Sequence, residues 1–513
     1  MFAKVNSIGL FGLNAFPVEV ETEISKGQPT FDIVGLADTA VKESRERIRS
    51  AFRSCGERFP LARVVVNLAP ADTRKAGSVF DLGVLLSVMR AQGLIPSDIP
   101  SHALDECVFI GEVSLSGDIR GVAGVLPMVL RARAEGFKAA FVPAENACEA
   151  SVADGIDIYA AENVEKLMAH LTGKEVLSPE PRFIPEPADY VYTADYADVK
   201  GQTLAKKALE IAAAGGHNLL MVGPPGTGKS MLAKRLPSIM PTMTFEESIE
   251  TTNIHSVCGM VSRAEPLVVR RPFFSPHHTI SGAGLCGGGT VPKPGQISLS
   301  HNGVLFLDEL PEFARPTLEM LRQPLEDRQV TISRSSGTVT YPCSFMLVAA
   351  MNPCPCGYMG HPTKKCICSP NQAKAYVSRI SGPLLDRFDL HVEVAPVTFS
   401  ELSSDTKEES SAAIRERVQA AREIQAKRFA GTGITCNARI TPELFKEVCP
   451  VSKDGMELLE NVFNGLGLSA RAYDRIIKVA RTAADMEGSE VIEKHHISRA
   501  VHFRLLDRKY KLN

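Results

Sequence analysis

Three observations predict an α/β fold built on a parallel sheet, with a helical segment after it and a mixed α and β block before it. The first is Gly223-Pro-Pro-Gly-Thr-Gly-Lys-Ser230, set between an apolar strand-like run at 219–222 and a helix-compatible stretch at 231–236. The second is the alternation, over residues 198–395, of short apolar runs (218–222, 303–307 and 345–350) with helical stretches. Near-continuous apolar runs of this kind suit strands covered on both faces. The third is Ser178-Pro-Glu-Pro-Arg-Phe-Ile-Pro-Glu-Pro187. Proline at this density continues neither a helix nor a central strand, so it marks a boundary.

Residues 1–175 contain strand-like runs at 62–68 and 108–111 and helix-like stretches at 80–92 and 124–135, which together predict an α+β domain. A proline-rich linker is expected at 176–197 and the sheet-bearing core at 198–395. Residues 396–513 read as helical. Ile414, Val418 and Ala421 form one apolar stripe at helical spacing, and Tyr473, Ile476, Ile477 and Ala480 form another. Such stripes are core packing. A chain of 513 residues, 44% hydrophobic, holds more than one core, since single cores stop growing near ~250–300 residues.

The net charge of −2 gives no global basic signature, so any nucleic-acid contact must come from local patches. No run approaches the ~20 apolar residues that span a bilayer, and no basic-then-apolar leader opens the chain. No signal peptide and no membrane association are therefore expected, and a cytoplasmic location is. Twelve cysteines in such a chain point to thiols kept reduced or bound to metal.

The loop at 223–230 carries the complete spacing of a phosphate-binding loop: Gly223, Pro224, Pro225, Gly226, Thr227, Gly228, Lys229 and Ser230. Glycines let successive backbone N–H groups turn toward phosphate oxygens, and the following helix presents its positive end to the same anion. Lys229 is placed to reach the β and γ phosphates of ATP, and Ser230 to ligate Mg²⁺. Val304-Leu-Phe-Leu-Asp308-Glu309 is an apolar strand ending in two carboxylates. Asp308 suits the Mg²⁺ and Glu309 suits a base that polarises the attacking water. A third apolar run ends at Met351-Asn352, where an amide can orient that water, although asparagine at a strand end is commonly a turn residue.

Cys354-Pro-Cys356 and Cys366-Ile-Cys368 crowd four thiols into fifteen residues, a set that suits tetrahedral Zn²⁺; a redox pair and chance clustering are the alternatives. His361 is a possible substitute ligand but reads as loop surface. Two insertions read on their residues alone as ordinary solvated loop, and become candidate DNA contacts through the family resemblance given below. Residues 329–340 read as a β-hairpin with Arg334 near its turn, and a second insertion holds Arg270, Arg271, His277 and His278 before a glycine-rich run at 282–289. Arg471, Arg475, Lys478 and Arg481 form a basic face on a C-terminal helix.

The phosphate loop, Asp308-Glu309, Asn352 and Ser381-Gly-Pro-Leu-Leu-Asp-Arg-Phe-Asp389 together resemble the magnesium-chelatase-like AAA+ ATPases, and within these the YifB/ComM group. The resemblance covers nearly the whole chain. It implies an AAA+ P-loop NTPase with a C-terminal helical lid, preceded by a Lon-protease-like (ribosomal S5 domain 2-like) N-terminal domain. It makes Asn352 the first sensor, Arg387 the arginine finger that serves a neighbouring subunit, and Arg471 the second sensor. Arg379 remains a surface salt bridge. Finger and lid imply a ring, expected to be a homo-hexamer, and related motors place a hairpin like that expected at 329–340 in the channel, where Arg334 would meet phosphate.

The N-terminal block resembles the Lon proteolytic fold through Gly111-Glu-Val-Ser-Leu-Ser-Gly117 and Gly124-Val-Leu-Pro127. Leu126 stands where that family carries its catalytic lysine, and Gly77-Ser-Val-Phe-Asp-Leu82 has no match to the serine segment, so no protease activity is expected. The function implied is an ATP-driven translocase or branch-migration helicase on single-stranded or branched DNA, in recombination or natural transformation. A chelatase-like remodelling motor and a protein unfoldase are the alternatives.

Overall fold

A computed structural model describes residues 1–36, 38–186, 190–289, 291–335, 337–403, 408–466 and 468–504. The chain forms two compact units. The first is Met1–Glu186 with Phe245–Val268 and Ser333–Tyr341; the second is Pro187–Thr244, Val269–Ile332 and Pro342–Asn513. This differs from the contiguous core expected at 198–395, because two of its segments pack with the N-terminal residues.

The first unit is a mixed seven-stranded sheet. Its strands are β1 (Phe2–Phe11), β2 (Asn14–Ser25), β3 (Thr30–Val34), β4 (Arg63–Ala69), β5 (Cys107–Phe109), β6 (Ala139–Pro143) and β7 (Asp157–Ala161). They lie in the order β7-β6-β5-β1-β2-β4-β3. In β4, Val64, Val66 and Leu68 are buried while Arg63 is exposed, the alternation of a strand with one covered face. In β6 every residue is buried, as expected where both faces are covered. Helix Asp81–Ala91 supplies much of the covering layer. Helix Phe245–Val257 packs against helix Val125–Ala134, and the Gly124 N–H donates to the Ser256 carbonyl at 3.0 Å.

Residues 329–340 do form a hairpin, with strands Gln329–Arg334 and Gly337–Pro342. Its Ser333–Tyr341 part seats in the first unit against the β1–β2 turn. A Cβ on Gly12 (φ +64°) would lie 2.2 Å from Val339 Cγ1, so that turn tolerates only glycine. The proline-rich segment carries no helix or strand over 176–186, yet it is bonded to the first unit: Glu180 N–H donates to Ile158 O (2.7 Å) and Phe183 N–H to Ser151 O (3.1 Å).

The second unit contains an all-parallel five-stranded sheet in the order β9-β10-β11-β8-β12. The strands are β8 (Leu219–Val222), β9 (Phe273–Phe274), β10 (Val304–Leu307), β11 (Met346–Met351) and β12 (Leu390–Glu393). β8, β10 and β11 are buried at every position, which explains their unbroken apolar sequence. Helices Ser411–Arg428 and Ala470–Met486 share the sheet's core: Ile414, Val418, Ala421, Ile476, Ile477 and Ala480 are all buried in it. Asp485 is enclosed between Arg428 (2.8 Å), Arg481 (3.0 Å) and Asn437 (2.7 Å). Among the described residues no helix is long and apolar enough to cross a membrane.

Candidate functional site

The parallel register assembles the site. Val222 pairs with Met351 and Leu307 with Ala349, so β8, β10 and β11 end at one edge of the sheet. The residues that follow them, Gly223, Asp308 and Asn352, therefore emerge side by side. Gly226 (φ +79°) and Gly228 (φ +88°) hold the left-handed backbone that lets the loop wrap an anion, and Lys229 opens helix Lys229–Ile239. Gly223 has a different reason to be glycine: a Cβ there would lie 2.2 Å from the Val394 carbonyl oxygen.

Lys229 is buried, and its Nζ donates to Gly223 O (2.7 Å), Pro224 O (2.8 Å) and Asn352 Oδ1 (3.2 Å). Burial pulls its pKa down to about 8, opposed in part by Asp308 and Glu309. Ser230 Oγ donates to Asp308 Oδ2 at 2.5 Å. A hydroxyl and a carboxylate so placed offer the hard oxygens that Mg²⁺ takes, so the donor set fits that ion. Glu309 sits at φ +50°, strained for a non-glycine residue, with its side chain exposed. That turn aims its carboxylate out of the sheet edge, where a base for a water nucleophile is useful. His278 Nδ1 lies 3.6 Å from Glu309 Oε2. His278 thus stands beside the carboxylate pair, which its position in a remote insertion had not signalled.

Arg387 and Arg471 lie elsewhere. They line one hollow with Asn218, Arg328, Asp389, Arg475 and Lys478, at the start of β8 rather than its end. Asn218 Nδ2 donates to the Arg387 carbonyl at 2.9 Å, and the five residue steps along β8 put roughly 16 Å between that anchor and Gly223. Arg387 pairs with Glu326. Arg471 is largely exposed and only 3.8 Å from Asp386; Arg475 lies 3.7 Å from Asp386 and 3.6 Å from Asp389. Burial first, then the charges of Arg471, Arg475 and Arg322, hold the Arg387 pKa below its ordinary value. Arg387 Nε and Arg475 Nη1 are enclosed with no hydrogen-bond partner among the described residues. The hollow sets Arg328, Arg387, Arg471, Arg475 and Lys478 against the carboxylates of Asp389 and Asp474, an excess of cations with spare donors that suits an anion.

The candidate DNA contacts separate. Arg334 is exposed on the hairpin, and His277 is exposed with its ring tilted 34° against that of His278, centroids 4.0 Å apart. Arg271 corrects the expectation of a DNA contact. It is 9% exposed, and its guanidinium donates to the carbonyls of Pro241 (2.5 Å) and Asn302 (2.7 Å), so it ties loops together inside the unit. Arg379 forms the surface pair with Glu312 at 3.0 Å. Cys354, Cys356, Cys366 and Cys368 come together with all four sulfurs within 4.8 Å of one another. His361 stays out of the cluster, its Nδ1 accepting from the Thr363 and Lys364 N–H groups at 3.1 and 3.0 Å.

In the first unit, Leu126 is fully buried in helix Val125–Ala134, and its N–H donates to Glu149 at 3.1 Å. Glu149 also accepts from Ser256 and Asn146, while burial raises its pKa. The position is a packing site, with no amine to activate a nucleophile.

Three family models match the chain. Magnesium chelatase, subunit ChlI, covers residues 195–402; subunit ChlI of Mg-chelatase covers 20–146; and the magnesium chelatase subunit ChlI C-terminal model covers 408–504. The chain is 42% identical over 510 residues to the uncharacterized protein YifB of Escherichia coli K12, spanning 98% of this chain and 97% of that one. It is 42% identical over 511 residues to the competence protein ComM of Haemophilus influenzae, spanning 99% and 98%. A shorter likeness, 29% identity over 158 residues, relates it to Lon protease 2 of Bacillus subtilis, covering 28% of this chain and 27% of the relative.

Proposed function

Because the chain belongs to the YifB/ComM-type, magnesium-chelatase-like AAA+ proteins, we propose that it is a ring-forming ATPase that moves along DNA. It acts as a translocase or branch-migration helicase in recombination or natural transformation. The observation that carries this reading is the distance between the phosphate loop and the Arg387 hollow, which lie at opposite ends of β8. An arginine that cannot serve its own phosphate loop serves the next subunit's, and a ring, here a homo-hexamer, repeats that contact at every interface.

In this reading ATP and Mg²⁺ are the cofactors. Lys229 and the loop glycines hold the phosphates, and Ser230 and Asp308 hold Mg²⁺, which draws charge from the transferring phosphoryl group. Glu309 takes the proton of the attacking water while Asn352 orients that water. Arg387 and Arg471 from the neighbour meet the charge that develops. Arg334 and His277 are the retained contacts to single-stranded or branched DNA, and the name of the competence relative supports a DNA-linked role. The N-terminal domain is Lon-like without the catalytic dyad, since Leu126 replaces the amine, and the cysteine cluster is a structural Zn²⁺ site. The test is ATP hydrolysis by the purified protein with and without single-stranded, duplex and branched DNA, with Glu309→Gln as control. Stimulation that vanishes in the control is expected. Hydrolysis indifferent to every DNA, with no DNA bound, refutes the translocase and turns the search to protein or chelatase-like partners.

A further inference from the structure

Residues 354–368 form a loop that carries no helix or strand, and Ile367 at its far side is 86% exposed. A segment of this length with no apolar core of its own needs another source of order. The sulfurs supply a geometry for one. Cys354 Sγ lies 3.4 Å from Cys356 Sγ and 3.7 Å from Cys366 Sγ, and Cys356 Sγ lies 3.6 Å from Cys366 Sγ. The Cys356 N–H points at Cys368 Sγ at 3.4 Å. Four thiolates at ~2.3 Å from a tetrahedral Zn²⁺ stand about 3.8 Å apart, close to these separations. All four thiols are free of disulfides.

The loop's near end touches the nucleotide site. Gly357 has φ +81° and closes a turn onto the Cys354 carbonyl (2.9 Å). A Cβ at Gly357 would stand 2.6 Å from Pro225 Cδ and 3.8 Å from Asn352 Cγ. The turn that carries the first two cysteines and closes at Gly357 is therefore pressed on the second proline of the phosphate loop. Asn352, two residues before Cys354, accepts from Lys229. One short stretch links the thiols, the sensor amide and the loop.

We propose that Cys354, Cys356, Cys366 and Cys368 bind one Zn²⁺, and that this ion is a clamp on the ATP site, its occupancy setting nucleotide affinity through the Gly357–Pro225 contact. Binding is ligation of Zn²⁺ by thiolates with release of the thiol protons to solvent. With the ion in place the loop backs Pro225 and fixes the strand end that carries Asn352. Without it the loop loses its order, and both supports go with it. The proposal rests on the assignment of 223–230 as the nucleotide site but not on DNA as substrate, so its test uses ATP binding and leaves DNA out.

The test is run on the full chain. Elemental analysis is expected to give about one Zn²⁺ per chain. Co²⁺ loaded in its place is expected to show the charge-transfer and d–d absorption of a tetrahedral four-thiolate site, lost in the double variant Cys366→Ser, Cys368→Ser. Removal of Zn²⁺ by chelation is expected to weaken binding of a fluorescent ATP analogue at least about tenfold, with recovery on adding equimolar Zn²⁺. Circular dichroism reports that the rest of the chain stays folded. Gly357→Ala is expected to retain the Co²⁺ spectrum while weakening ATP to a similar extent. Three results each overturn the clamp: no metal and no Co²⁺ spectrum, ATP affinity unchanged after chelation, or wild-type ATP affinity in Gly357→Ala. Failure of the zinc-loaded wild-type chain to bind ATP at all refutes the nucleotide-site assignment itself.

Discussion

Replacing Arg387 with alanine tests the ring reading most directly, because the arrangement of the site dictates a number. Arg387 is anchored by Asn218 at the start of β8, and Gly223 follows the end of that strand. At ~3.3 Å per residue the gap exceeds what one arginine spans, so Arg387 acts across an interface. The variant alone is expected to lose about 10³-fold or more in ATP turnover, the range for an arginine supplied in trans. Glu309→Gln alone is also expected to be inactive, yet it keeps Arg387. In a 1:1 mixture an interface is active when an Arg387→Ala subunit receives its arginine from a Glu309→Gln neighbour. Random assembly gives that pairing at about half of one-half of the sites, so the mixture is expected to recover about a quarter of wild-type turnover per chain. The assay is steady-state phosphate release across mixing ratios, with the maximum at equal parts. A mixture no more active than the sum of its components refutes action in trans and with it the assignment of Arg387.

Two further outcomes are expected. Lys229 titrates near 8 because it is buried, so the free loop loses its ammonium as pH rises through that value. Since ATP binds the charged form, the affinity measured on Glu309→Gln is expected to fall about tenfold between pH 7 and pH 9, with proton uptake on binding at the higher pH; a flat profile contradicts the buried amine. Asp485→Ala strands the buried Arg481 and the partly buried Arg428. It is expected to cost about 3–5 kcal/mol in urea unfolding of the second unit, and a loss below about 1 kcal/mol shows that water or a new partner replaces the carboxylate.

The backbone of the proposed nucleotide site was legible in the sequence because its requirements are local. Gly226 and Gly228 answer to backbone angles within the loop itself, and the carboxylates follow an apolar run that only a covered strand explains. What remained hidden depends on partners distant in the chain. Nothing in Phe245–Val257 says that Ser256 will meet Glu149, since the helix buries mostly polar residues (Ser248, Thr251, Thr252, His255 and Ser256) and carries no apolar stripe to announce a covered face. Arg271 read as surface charge because arginine is ordinarily exposed, whereas here its fork satisfies two loop carbonyls. The thiol spacing announced the cysteine cluster, but Gly357 looked like a loop glycine until Pro225 was found against it.

The first unit is cut from three stretches of chain, and the backbone passes between the units five times before residue 342. For a ribosome this is an awkward order of delivery. The seven strands are all synthesised by Ala161, but the helix that meets Glu149 and the hairpin end that meets Gly12 arrive much later. The 155 residues from Pro187 to Tyr341 take roughly 10–30 s at ordinary elongation rates. During that interval the nascent unit has the Leu126 and Asn146 donors to Glu149 but lacks the Ser256 hydroxyl, and it lacks the Val339 side chain that meets Gly12. A gene fragment ending at Glu186 is held permanently at that stage, so full-length translation rather than domain-by-domain expression is the route to the native first unit.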